Sequence, residues 1–218
     1  MAIRVLFVPF QYPDKSGRPG ETYKAKNAHW ISMTRQLRDG GDTHSVLECW
    51  YHPSIFGNPL LSRLGKYDQV YIRGHCIPGF DGIFDLDARV DESGKNVTAP
   101  NVPRPIIDYL HDRVFSQRLV MSLTTQQVVQ RLTGSGLSPG FAGKIKCYNC
   151  HSAENGEQGD PSFAARVKAQ LAALAYVDCK VYGYTGSLSS SHEAALGHKT
   201  SLRQDSTSVR ASIARVEV

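Results

Sequence analysis

Short apolar runs alternate with stretches of helical spacing along this chain, and that alternation limits the fold more than any other feature. The runs cover residues 3–10, 43–50, 68–74, 141–149 and 180–185. Each is rich in Val, Ile, Tyr or Phe and bounded by turn-forming residues, as a buried strand requires. Between them, residues 21–38, 105–119, 124–132 and 161–175 carry apolar side chains at helical intervals. Thr124 is placed to cap the third helix, and Asp160 or Ser162 the fourth. Strands that alternate with helices predict an α/β domain with a mainly parallel sheet, a three-layer sandwich. Residues 53–64 read as a short helix or loop, and 212–218 as a last strand. No internal repeat or linker divides the chain, so residues 1–218 read as a single domain.

One segment breaks the alternation. Residues 77–105 are rich in Gly, Pro and Asp, with weak periodicity. They read as an insertion holding a small hairpin, with one strand over 83–90 and its return near Val97. Excursions of that length inside a compact domain usually serve function.

Composition excludes several classes. The net charge of +5 favours acidic partners only mildly, and no basic run, aromatic–basic RNA motif or zinc-finger spacing accompanies it. Nucleic acid is therefore not an expected partner. Five cysteines, an odd number scattered through apolar stretches, argue against a secreted disulfide framework and for a reducing compartment. The N-terminal sequence lacks the pattern of a signal peptide, and no apolar run is long enough for a membrane span. The expected location is cytoplasmic, or outside the cell by a route without a cleavable signal.

The chemistry concentrates at two strand ends. Val70-Tyr-Ile-Arg-Gly-His75 is an apolar strand that finishes on a histidine. Ile145-Lys-Cys-Tyr-Asn-Cys150-His-Ser-Ala153 finishes on a cysteine followed by small residues. In an open parallel sheet, ligands bind beyond the carboxyl ends of the strands. If the two strands are neighbours, thiol and imidazole share that edge. A thiolate is the competent nucleophile, and an imidazole can take its proton. Backbone N–H groups at the strand ends could hold an oxyanion.

These two motifs, in this order, resemble the caspase-like (clan CD) cysteine peptidases. The resemblance covers about residues 3 to 186 and includes the helix and strand that follow the cysteine. It implies a caspase-like fold and a cysteine endopeptidase acting on a protein or peptide substrate through an acyl-enzyme. His75 would be the general acid/base and Cys150 the nucleophile, with the backbone N–H groups of Cys76 and Cys150 as the oxyanion hole. It implies no cofactor and no metal. Gln11, Asp14, Thr185 and Ser187 would contribute to the pocket for the residue before the cut. Asp14 could select a basic residue or orient His75, while Arg18 would favour an acidic one. Cys76 stands where the family has a glycine, and the His-to-Cys separation is longer than the family's. The first departure leaves a non-catalytic, caspase-like binding scaffold as the alternative.

The same letters admit other readings. Cys147-Tyr-Asn-Cys150-His151 satisfies the haem-attachment string, and its Cys-x-x-Cys core suits thiol redox chemistry. Strand geometry opposes both, because residues three apart on a strand point to opposite faces. Cys147 is then a core residue and Cys150 an edge residue. Zinc needs about four ligands, and no second pair with clean spacing exists. His151 is a second candidate base for Cys150, but its side chain should point away. His192 and His198 read as solvated. The stretch Gly183-Tyr-Thr-Gly-Ser187 lacks the marks of a phosphate-binding loop.

Overall fold

A computed structural model describes residues 2–11, 27–32, 45–85, 121–188, 200–203 and 207–218. A six-stranded sheet organises them. Its strands are β1 (Ile3–Gln11), β2 (Ser45–Tyr51), β3 (Gln69–Arg73), β6 (Lys144–Tyr148), β7 (Lys180–Tyr184) and β11 (Arg215–Glu217), in the order β2-β1-β3-β6-β7-β11. The first five run parallel, and β11 closes one edge antiparallel to β7. The mainly parallel sheet flanked by helices agrees with the expected α/β sandwich.

The direction of winding explains the layers. The chain steps one way from β1 to β2, then the other way through β3, β6 and β7. Because parallel crossovers are right-handed, the first connection and the later ones pack on opposite faces. Helix α1 (residues 27–32) follows β1, and its Trp30 joins one core cluster with Leu6, Tyr71, Tyr148 and Tyr184. Helices α2 (Pro59–Ser62), α3 (Thr125–Gly134) and α4 (Phe163–Ala173) sit in later connections. Leu61, Val128, Leu132, Phe163 and Leu171 from them join the other cluster, with Val5, Phe7, Ile72, Ile145, Cys147 and Val181. The period-2 alternation of each strand divides its residues between these clusters.

Local signals fix the helix ends. The Thr124 hydroxyl accepts from Gln127 N, and the Gln127 side chain accepts from Thr124 N, a reciprocal capping box. Of the two residues proposed to cap α4, Ser162 does so, accepting from Ala165 N.

Two expectations change. Strand β4 (Ile83–Asp85) forms where the insertion hairpin was expected, but its partner is β5 (Met121–Leu123), a strand absent from the sequence reading. Phe84 also exchanges two 2.9 Å backbone hydrogen bonds with His75, so β4 lies between the histidine and β5. Val97 and the helix expected over 105–119 lie outside the described residues. The Ser-rich tail likewise contains structure: β8 (Ser187–Leu188), β9 (Thr200–Leu202) and β10 (Ser208–Arg210) form a small antiparallel sheet.

Candidate functional site at the carboxyl edge of the sheet

Strands β3 and β6 are direct neighbours, with Ile72 opposite Cys147 and Arg73 opposite Tyr148. His75 lies two residues beyond Arg73, and Cys150 two beyond Tyr148. Both chains leave the β3–β6 ladder before these residues: His75 pairs with Phe84, and Asn149 N donates to Cys147 O at 2.8 Å, turning the chain before Cys150. The parity is also shared. Tyr71 and Tyr148 belong to the aromatic cluster, whereas Ile72, Cys76 and Cys147 belong to the apolar one.

The histidine is set by its backbone. Besides the two bonds to Phe84, its ring stacks on the Phe84 ring at 5.8 Å and 27°. Gly74, just before it, is needed for this approach. A Cβ there would stand 2.7 Å from Ile83 Cδ1 and 3.0 Å from Asn149 Nδ2. Cys76 turns its side chain inward. Its thiol is buried, donates to Ile77 O at 3.3 Å, and is pushed well above the usual cysteine range by desolvation, then by the neighbouring Cys147 and Cys150 sulfurs. It is an inert core thiol. Among the described residues, the Cys76 N–H has no hydrogen-bond acceptor.

Cys147 and Cys150 part as strand geometry demands. Cys147 is fully buried in the apolar cluster, and desolvation raises its pKa. Cys150 is half-buried, and its Sγ lies 3.9 Å from Leu188 O. The turn around it rests on Ser152, which is fully buried. The Ser152 hydroxyl donates to Cys147 O at 2.7 Å and accepts from Tyr184 N at 3.0 Å, tying the loop after Cys150 to β6 and β7. Ala153 N donates to Tyr184 O at 3.0 Å, and Ala164 N to Ser152 O at 2.9 Å. Gly183 permits this contact, since a Cβ there would meet Ala153 N and Ala164 Cβ at 2.8 Å. The small residues after Cys150 therefore serve packing against β7 and α4. The Asn149 side chain is buried with neither amide atom hydrogen-bonded.

His151 is committed elsewhere. Its backbone is left-handed at φ 55°, and its N–H donates to Gly186 O at 2.9 Å. Its Nδ1 lies 3.0 Å from Glu154 Oε2, and its Nε2 lies 3.1 Å from Ser187 Oγ. Glu154 Oε1 accepts from Gly186 N at 2.5 Å. The ring thus faces Glu154 and Ser187. The same carboxylate fills the Gly186 turn that could have been mistaken for a phosphate loop. Sequence reasoning missed this chain of three side chains. Its local trace is His151 and Glu154 three residues apart in a turn, and Ser187 joins only through tertiary structure.

Three of the four proposed pocket residues are described. Gln11 ends β1, where the pairing with β2 shifts register. Thr185 is held by Ala214, whose carbonyl accepts from its N at 2.9 Å and from its Oγ1 at 3.3 Å. Ser187 faces His151, and Asp14 lies outside the described residues, as do Arg18, His192 and His198. Among the described residues, no group of three or more His, Cys, Asp or Glu could hold a metal ion, and no helix is long and apolar enough to cross a membrane. The chain matches no protein-family model and no curated protein sequence.

Proposed function

We propose that this protein is a cysteine endopeptidase of caspase-like type, with Cys150 as nucleophile and His75 as general acid/base. The observation that supports this reading is the parallel pairing of β3 with β6, with Arg73 opposite Tyr148, so that the strand ends preceding His75 and Cys150 lie side by side at one edge of the sheet. The edge is also the right one, because ligands of open parallel sheets bind beyond the strands' carboxyl ends. The inward turn of the Cys76 side chain supports an active enzyme over an inert scaffold. A non-glycine residue there adds no bulk to the site, and like glycine it supplies a backbone N–H.

In this mechanism His75 takes the Cys150 proton, and the thiolate attacks the scissile carbonyl of a bound peptide. The N–H groups of Cys76 and Cys150 hold the oxyanion. His75 then protonates the leaving amine, and water, activated by the same imidazole, releases the acyl group. The substrate would lie extended beside the sheet.

An electrophilic peptide probe tests the assignment. Wild type and Cys147→Ala should be labelled, and Cys150→Ala should not. Peptide cleavage should fall on the order of 10³-fold or more in Cys150→Ala, and about 10²–10⁴-fold in His75→Ala. Equal labelling of all three proteins would overturn the assignment.

A further inference from the structure

We propose that Ser187, His151 and Glu154 form a second acyl-transfer site, in which a base-activated Ser187 hydroxyl accepts acyl groups from carboxylic esters. The three side chains are joined end to end: Glu154 Oε2 to His151 Nδ1 at 3.0 Å, and His151 Nε2 to Ser187 Oγ at 3.1 Å. A hydroxyl, an imidazole and a carboxylate in that order are the parts of an activated nucleophile, recognised by geometry and role rather than chain order.

The hydrogen bonds fix the tautomer. Glu154 accepts at both oxygens, from Gly186 N at 2.5 Å through Oε1 and from His151 through Oε2. A carboxylate is acceptor-only, so the bonded His151 Nδ1 carries the proton. In the neutral ring Nε2 then holds a lone pair, which accepts the Ser187 O–H. That is the state in which imidazole can remove a serine proton. The ring is not sealed off, because the His151 and Glu154 side chains are 14% and 20% exposed and Ser187 is half-buried.

The arrangement is held from both sides. His151 is fixed by its own N–H to Gly186 O at 2.9 Å. Ser187 lies on β8, paired with Leu202 of β9. Gly186, at φ 75°, leaves no room for a side chain, since a Cβ there would stand 2.3 Å from Leu202 O. The Glu154–Gly186 bond already ties the two loops together, so the His151–Ser187 bond is not needed as a strut.

The chemistry balances without a further reagent. Ser187 Oγ forms a bond to the ester carbonyl carbon as its proton passes to His151 Nε2. The carbon–alkoxy bond breaks, and the departing alcohol takes that proton. Water, deprotonated by the same nitrogen, then releases the acid and restores Ser187. An ester suits the site better than an amide, because an alkoxide leaves more readily and asks less of oxyanion stabilisation.

A fluorophosphonate probe, which reacts with activated serines, provides the test, with the adduct located by peptide mass. Wild type and Cys150→Ala should both carry it on Ser187, and Ser187→Ala should not. In His151→Gln the labelling rate should fall at least about 10²-fold, with a melting profile showing that the protein is folded. Absence of an adduct on Ser187 in wild type, or an unchanged rate in folded His151→Gln, would overturn the proposal. Because the probe ignores thiols and Cys150→Ala retains this site, its failure is separate from any failure of Cys150 to act.

Discussion

The two faces of the central sheet follow one rule of alternation and reach different chemistry. One face presents Val5, Phe7, Val70, Ile72, Ile145, Cys147 and Val181 to three helices. The other presents Leu6, Tyr71, Tyr148 and Tyr184, with Trp30 packed 4.9 Å from Tyr71 and 5.1 Å from Tyr148. Cations lie among these rings: Arg73 is 5.1 Å from the Trp30 ring, and Lys146 is 4.7 Å from that of Tyr71. The apolar face is a close-packed layer with no polar work to do. The aromatic face keeps amphipathic groups that tolerate both burial and hydrogen bonding. Cys76 and Cys147 lie on the first face.

The largest effect expected from this contrast is on the apolar face. Ile145 is fully buried there, so Ile145→Ala should cost about 2–5 kcal/mol through lost transfer energy and a residual cavity. Denaturant midpoints measure it. A cost below about 1 kcal/mol would mean that this layer is not close-packed, and the comparison would fail at its base. A smaller effect is expected where the loop after Cys150 crosses to β7. Ser152→Ala leaves Tyr184 N without its acceptor and removes one of the two donors to Cys147 O, Asn149 N being the other, a loss of about 1–3 kcal/mol. It should also slow labelling of Cys150, because the loop that presents the thiol loses its anchor. Unchanged labelling would detach Ser152 from the site.

What could be read from the sequence divides along physical lines. Strands β1, β3, β6 and β7 carry enough apolar residues for alternation to show, and the cap residues Thr124 and Ser162 act within their own turns. The separation of Cys147 from Cys150 follows from strand parity alone. Strand β5, by contrast, has three residues and β8 two, too few for a period to show. Their existence depends on partners distant in sequence, Ile83 for Leu123 and Ser201 for Leu188. The site divides likewise. His75 and Cys150 are visible because each follows a strong strand, but only strand order brings those two strands together. The contact of His151 with Ser187 spans two connections and leaves no local periodic trace.

Lys146 offers the finest test of the difference between the faces. It lies on β6 between Ile145 and Cys147 but faces the aromatic side, nearly fully buried, where its Nζ donates to Gln69 Oε1 at 2.6 Å and Tyr71 Oη at 2.9 Å. Burial, then the charges of Arg215 and Arg4, lower its pKa from 10.5 to about 7. Between those values the unfolded chain holds the lysine proton more tightly than the folded one. Folding stability should therefore rise with pH across that window, by at most about 1.4 kcal/mol per pH unit. Below pH 7 the full penalty of burying the charge remains, and above 10.5 it vanishes. Lys146→Met should abolish this slope and leave the protein as stable as wild type or more so at neutral pH, as replacement of a buried ion by an apolar group often does. Denaturant titrations of both proteins at pH 7, 8 and 9 measure the difference. Parallel pH profiles would mean that the lysine keeps its charge in the folded protein, and that the aromatic face is a more polar environment than its ring packing implies.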